Sequence, residues 1–281
     1  MTRKLLAVFG LKWNPFTPDI PDDALLRTPE AEHFCWRVEQ QVRDGGFALV
    51  TGDSGTGKSI TLRLLARHLR GLPEIVVGTL NRPQSRLGDF YRELGAIFGV
   101  SLRVHNRWGS FSGLREKWES HLAATLWRPV LLIDEAQEME PEVLSELRLL
   151  ASANFDSRSI LTVVLAGDSQ LIELLRLPKL IPLGSRIRAR LSFEYATPKQ
   201  LAELLGHLLA QAGNPRLMTP GLMGALCEHS AGNYRMLCNM AADLLAEGLR
   251  REVTQLDEKL YLEFFGPTSK ARSRTDARRT G

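Results

Sequence analysis

The run Gly52-Asp53-Ser54-Gly55-Thr56-Gly57-Lys58-Ser59 meets every fixed position of the pattern G-x-x-x-x-G-K-[ST]. An apolar stretch of strand character, Phe47-Ala48-Leu49-Val50-Thr51, leads into it, and a stretch of helical character follows from Ile60 to Leu69. No other feature constrains the fold as tightly, because the loop works only between a strand and a helix in that order. Its glycines let the backbone wrap a phosphate chain, while the loop N–H groups and the helix N-terminus supply positive potential. In such a loop the Lys58 ammonium neutralises the β- and γ-phosphates and the Ser59 hydroxyl ligates Mg²⁺. Residues Gly52, Asp53, Ser54, Gly55, Thr56, Gly57, Lys58 and Ser59 therefore imply a site for a nucleoside triphosphate.

The 281 residues suffice for one large α/β core and a smaller domain. A hydrophobic fraction of 44% excludes disorder of the whole chain. The net charge of +4 leans towards an anionic partner, but an excess this small more often serves solubility. Cys35, Cys227 and Cys238 form no C-x-x-C pair, which fits reduced thiols and neither a disulfide scaffold nor a zinc site. The N-terminus has no apolar core with a cleavage site, and no apolar run reaches the ~18 residues of a membrane span. A soluble cytoplasmic protein is expected.

Residues 1–30 carry Pro15, Pro18, Pro21 and Pro29 and read as an irregular segment whose Phe9-Gly10-Leu11 and Trp13-Asn14-Pro15-Phe16 pack on the core. Residues 31–196 then alternate helix and strand. A helix from Glu30 to Arg43 precedes the loop; beyond it come a strand (Glu74–Leu80) and a helix (Ser85–Phe98). Arg107–Gly113 reads as a loop leading into a helix over Leu114–Leu126. Val130-Leu131-Leu132-Ile133 is an apolar run suited to a strand buried on both faces, followed by a helix (Pro141–Ala151) and strands at Ile160–Ala166 and Leu191–Tyr195. This alternation predicts an α/β fold with a doubly wound parallel sheet. From Thr197 the leucines recur at helical spacing, so residues 197–265 read as a small helical domain and 266–281 as a basic, disordered tail.

The strand at 130–133 ends in Asp134-Glu135. An acidic residue there holds Mg²⁺ through its water shell, and a second carboxylate orients or deprotonates the attacking water. Asp134 is thus the metal candidate and Glu135 the catalytic one, a pair that points to hydrolysis.

Taken in order along the chain, these pieces resemble the AAA+ ATPases. Within them, the likeness is to the group that contains ExeA-type secretion ATPases and TnsC/TniB-type and Mu B-like transposition regulators. The resemblance rests on Phe9-Gly10-Leu11, Asn14-Pro15-Phe16 and Gly46-Phe47, then Asp134-Glu135-Ala136-Gln137 and Leu147-Arg148-Leu149-Leu150 with Asn154-Phe155. Val164-Leu165-Ala166-Gly167, Ser185-Arg186-Ile187 and Gly232-Asn233-Tyr234-Arg235 complete it. It implies a P-loop AAA+ core with a C-terminal helical lid, ATP and Mg²⁺ as ligands, and a homo-oligomeric ring or helical filament with ATP held between subunits. It also implies an arginine finger in trans at Arg186, with Arg188 and Arg190 as alternatives, and a γ-phosphate sensor at Arg235. At the other sensor position the family often carries Gln, and this chain has Asp168. Pro15 and Phe16 either cover the adenine or simply pack.

Two functional classes follow from the resemblance. The first is an assembly ATPase that polymerises on duplex DNA and licenses a transposition target by recruiting a transposase, with a target-selector protein as a further partner. Its DNA contacts would go mainly to phosphates, through Arg82, Arg86, Arg103 and Arg107 with the tail arginines as auxiliaries. Scattered surface arginines are as readily solvated charges. The second is a secretion-pathway ATPase; such relatives continue through a membrane span, and this chain contains no apolar span. A nucleotide-gated scaffold with little hydrolysis is a third reading, against which Glu135 and Arg186 stand.

Overall fold

The structure, a computed structural model, describes residues 2–80, 82–101, 107–124, 127–155 and 157–266. Arg103 and the tail from residue 267 lie outside the described residues. In chain order the elements are α1 (Thr2–Phe9), α2 (Pro29–Val42), β1 (Gly46–Thr51), α3 (Lys58–Arg70), β2 (Ile75–Leu80), α4 (Leu87–Phe98), α5 (Arg107–Ala123) and β3 (Arg128–Ile133). There follow α6 (Pro141–Ala151), a short hairpin β4 (Ser152–Ala153) and β5 (Arg158–Ser159), β6 (Thr162–Gly167), α7 (Ser169–Leu175), α8 (Ile181–Gly184) and β7 (Ile187–Ser192). The last helices are α9 (Pro198–Ala212), α10 (Pro220–His229), α11 (Tyr234–Arg250) and α12 (Glu258–Phe265).

Two compact units result: one spans Arg27–Glu194, and the other combines the chain up to Leu26 with the chain from Tyr195 onward. In the first, five strands form a parallel sheet in the order β2-β3-β6-β1-β7. The continuous apolar strands serve both faces at once, because successive side chains point to opposite sides. Phe47, Leu49, Leu131, Ile133, Val163 and Leu165 face α4, α5 and α6, meeting Phe90, Leu94, Leu114, Trp118, Val143 and Leu147. Their neighbours Ala48, Val50, Val130, Leu132, Val164 and Ala166 face α2 and α3, meeting Phe34, Val38, Leu62, Leu65 and Leu69. Each fully buried large side chain contributes about 1.5–3 kcal/mol, so this three-layer stack is what fixes the sheet edge discussed below.

The α-helical unit packs α1 and α9–α12 around Leu5, Phe9, Leu201, Leu205, Leu209, Leu222, Leu226, Leu244, Leu245 and Leu260. Its long helices start where the sequence supplies caps: Thr197 with Gln200 forms a capping box, and Thr219, Asn233 and Asp257 each accept a first-turn N–H.

Three sequence expectations give way. The N-terminal segment is not wholly irregular, since α1 lies before the first proline, and it packs with the helical unit rather than the α/β core: Lys12 N–H donates to the Ala212 carbonyl (2.8 Å) and Asn214 to that of Phe9 (2.7 Å). Residues 107–113 are helical, not a loop, because Arg107 ties the first turn of α5 to α6 and Trp108 stacks on Phe111 one turn on. The last strand begins four residues early, at Ile187; its arginines alternate outward with buried Ile187 and Ala189, which suits an edge strand and disguises its apolar signal.

Candidate nucleotide-binding site

All five long strands run the same way, so the loops after β1, β3 and β6 share one edge of the sheet. The register sets Thr51 level with Gly167 and Ile133 level with Leu165. One strand, β6, separates β1 from β3, so their ends lie roughly 10 Å apart.

The phosphate loop follows Thr51. Gly52, Gly55 and Gly57 all have positive φ, at 157°, 82° and 112°. At Gly52 a Cβ would come within 2.7 Å of Thr56 Oγ1 and 2.8 Å of the Phe193 side chain, so the closed turn admits no other residue. Thr56 Oγ1 donates to the Asp53 carbonyl (2.7 Å), which pins the turn from inside. Helix α3 starts at Lys58 without a side-chain cap, and helix geometry leaves its first-turn amides without intrahelical acceptors. Lys58 is buried, and its Nζ donates back to the carbonyls of Gly52 (2.8 Å) and Asp53 (3.0 Å). Ser59, next on the helix, is exposed.

Across the edge, Asp134 is half-buried and Glu135 exposed. Glu135 has φ 51° and ψ 42°, a left-handed conformation unusual outside glycine. Its N–H donates to Asp134 Oδ1 (3.0 Å). Glu135 opens a short 3₁₀ turn (Ala136–Glu138) anchored by buried Ala136 and Met139. From that turn Gln137 donates Nε2–H to Glu135 Oε2 at 2.6 Å.

The donor set suits a magnesium–triphosphate complex. A glycine cradle and helix amides serve the phosphates, and one hydroxyl and one carboxylate, Ser59 and Asp134, would hold Mg²⁺, an ion that keeps most of its waters.

Other sequence candidates take different places. Asp168 heads α7, where its Oδ1 accepts the Gln170 N–H at 2.8 Å, so its carboxylate serves as a helix cap. Phe16 is 3% exposed in the core of the helical unit, so its ring is committed to packing and does not stand ready to cover an adenine; Pro15 beside it is buried too. Arg186 precedes β7, and β7 pairs with β1 in parallel, so Arg186 lies roughly 20 Å from the phosphate loop at the other end of that strand. Its guanidinium donates to the Pro182 carbonyl. Arg188 pairs with Asp44 at 3.3 Å and Arg190 donates to the Gly184 carbonyl at 3.3 Å. Arg235 is exposed in the first turn of α11, at the helix end where a cation opposes the dipole.

The DNA candidates divide. Arg107 grips the buried carboxylate of Glu146 with Nε (3.0 Å) and Nη2 (2.5 Å), so its charge is neutralised within the fold, a correction to its reading as a phosphate contact. Arg86 is exposed at the start of α4. Arg82 is exposed and, with Pro83, Gln84 and Ser85, lines a recess of about 600 Å³ whose other wall is Glu135 and Glu138. Gln137 and Glu146 carried no role in the sequence reading. A polar residue two positions after Glu135 was the only local signal for the first, and the second had none.

Sheet order, phosphate loop and acidic strand end together define a P-loop domain with the AAA+ fold. Residues 41–175 match the family described as "AAA domain". Over 240 residues the chain is 32% identical to General secretion pathway protein A of Aeromonas hydrophila, a match covering 84% of this chain and 43% of that protein. The chain thus spans less than half the length of this relative. The ORC2 protein of Aeropyrum pernix, solved as ADPNP–ADP complexes, superposes with a TM-score of 0.70 at 14% identity, covering 88% of this chain and 69% of that one. The ORC1 protein of the same organism, solved in complex with DNA, gives 0.64 at 19% identity over 92% and 68% of the two chains. At such identities the likeness to the solved structures is one of fold. Among the described residues no helix is long and apolar enough to cross a membrane.

Proposed function

We propose that the chain is a Mg²⁺-dependent ATPase that assembles into homo-oligomers on duplex DNA in the cytoplasm, and regulates transposition target selection by recruiting or activating a transposase. The observation that carries the enzymatic part is the meeting of Lys58, Ser59, Asp134 and Glu135 at one sheet edge. Loop amides and Lys58 bind the triphosphate. Ser59 and Asp134 hold Mg²⁺, which when bound neutralises phosphate charge. Glu135 takes a proton from a water molecule as its oxygen bonds to the γ-phosphorus and the bond to the β-phosphate oxygen breaks, leaving ADP and inorganic phosphate.

Arg186 is too far along β7 to serve its own loop, which favours a neighbouring copy's site as its target. Arg235, exposed in the first turn of α11, is the γ-phosphate contact that the AAA+ likeness suggests. The DNA part is supported by the positive net charge and by the fold shared with an ORC1 protein solved on DNA. Arg82 and Arg86 are the contacts of choice, with Arg103 and the tail arginines as further candidates. Transposition rests on the likeness to the TnsC/TniB-type group. The 32% identity to General secretion pathway protein A favours a second reading, a secretion-pathway ATPase.

Lys58→Ala tests the shared-site assembly. Negative-stain imaging should find that it loses ATP-dependent oligomers on duplex DNA together with ATP binding; a mutant that binds no ATP yet still assembles on addition of ATP would sink it. Reconstitution with an integrase-type transposase decides the process: target choice unchanged by this protein, with a secretion operon beside its gene, favours the second reading.

A further inference from the structure

Glu135 is the group on which hydrolysis turns, yet it stands exposed at a strand end, on a backbone of left-handed conformation. A carboxylate so placed has many rotamers, and only those that face the attacking water are productive. Something must hold it. Among the described residues, Gln137 is the side chain that hydrogen-bonds it, at 2.6 Å.

Gln137 is itself fixed from the other side. Its Oε1 accepts the backbone N–H of Asp168 at 3.3 Å, just past the end of β6. The chemistry sets the orientation of the amide without ambiguity: a backbone N–H can only donate and a carboxylate can only accept, so the oxygen turns to Asp168 and the nitrogen to Glu135. The neighbouring residue is Gly167, where a Cβ would lie 2.6 Å from Gln137 Oε1. The strand end is thus shaped to admit this amide. Below it, Ala136 and Met139 bury the turn that carries Gln137. The carboxylate of Asp168, meanwhile, is committed to capping α7.

We infer that Gln137 is a positioning residue for Glu135: its amide clamps the carboxylate to the end of β6 through one oxygen, leaving the other for the attacking water. The clamp joins the last residues of β3 to those of β6, so a shift of either strand end reorients the base. This inference rests on the reading of Glu135 as the group that accepts the water's proton.

The test is steady-state ATP turnover of the full chain at saturating Mg²⁺, with and without duplex DNA, for Gln137→Met, Gln137→Glu and Glu135→Gln. Gln137→Met keeps the side-chain length and loses both hydrogen bonds; kcat should fall about tenfold or more while KM for ATP stays within about twofold. Gln137→Glu keeps an acceptor for the Asp168 N–H but sets a carboxylate against Glu135, and should lose at least as much. Both variants should remain cooperatively folded, with at most a modest fall in unfolding midpoint, so that the fall in kcat is read on native protein. In the Glu135→Gln background, Gln137→Met should have no further effect, because it acts through Glu135. Wild-type kcat in both Gln137 variants, with Glu135→Gln inactive, overturns the clamp and leaves the base intact. A Glu135→Gln protein with undiminished turnover overturns the base and, with it, the clamp.

Discussion

Two polar clusters in the α/β unit are built on opposite plans. Between α5 and α6, Glu146 is buried and saturated: Arg107 grips both its oxygens and the Tyr91 hydroxyl donates at 2.5 Å. Burial pushes the Glu146 carboxyl up, but the hydrogen bonds from Arg107 and Tyr91 outweigh it and hold the group below the usual carboxylate range. Burial and the bond to Glu146 push the Tyr91 phenol up in turn. At the sheet edge, by contrast, Lys58 rests on two backbone carbonyls of its own loop and Glu135 on a side-chain amide. A phosphate would displace the first of these partners, and a water would share the second. Saturated polar groups lock elements together; groups on exchangeable partners are left able to react. The contrast also sorts the arginines, since Arg107 belongs to the lock.

The strongest break in that comparison comes from Arg186. If it completes a neighbour's site, Arg186→Ala should lower ATP turnover roughly 10³-fold, the lower end of what such a residue contributes in other nucleotide hydrolases. Folding and ATP affinity should stay intact. A mixture with Lys58→Ala discriminates the geometry: one variant supplies a sound loop and the other a sound arginine, so mixed assemblies should recover turnover that neither has alone. Failure to recover, with co-assembly verified by sedimentation, would place the effect of Arg186 within its own subunit.

The lock itself should answer to stability, not catalysis. Arg107→Ala leaves a buried carboxylate short of its partner. Because the outer face of the guanidinium is in water, with a side chain 64% exposed, the cost should be about 1–2 kcal/mol, below that of a fully buried pair. Denaturant unfolding should register that loss while ATP turnover per folded molecule is unchanged. The sign with pH follows from the lowered Glu146 carboxyl. Its stabilisation is present above the usual carboxylate pKa and is lost as pH falls through the depressed value. Wild-type stability should therefore fall more steeply than that of Glu146→Gln below about pH 4.5. Equal slopes would mean that the carboxylate contributes nothing in its charged form.

The edge was legible in the sequence and the lock was not, for a physical reason. Gly52 to Ser59 carry their chemistry in eight consecutive residues, and Asp134-Glu135 sit directly after an apolar run, so spacing alone announced them. Glu146 meets Arg107 across 39 residues, and Gln137 meets Asp168 across 31. Only the packing of α5 on α6, and of β3 beside β6, brings such pairs together. The same limit explains Asp168 and Phe16. Asp168 stood at a position where the resemblance implied a ligand contact, but it caps α7; for Phe16, of the two readings left open, packing is the one that its place in the core of the helical unit fits. Helix α1 went unread because the prolines after it coloured the whole segment.

The smallest expected effect is also the one that bears most on function. Arg82 and Arg86 lie on the segment between β2 and α4, and Arg82 shares its recess with Glu135. Both are exposed, whereas Arg107 is tied to the buried carboxylate of Glu146. If they contact DNA phosphates, Arg82→Ala and Arg86→Ala should each weaken duplex binding irrespective of sequence and reduce the salt slope by about one. ATP affinity should hold, since neither belongs to the phosphate loop. Arg82→Ala should in addition blunt the stimulation of turnover by DNA, because a phosphate bound in that recess sits against the wall that carries Glu135. Arg86→Ala should not, being outside the recess. Equal loss of stimulation in the two variants would mean that DNA acts through assembly alone and that the recess beside Glu135 transmits nothing.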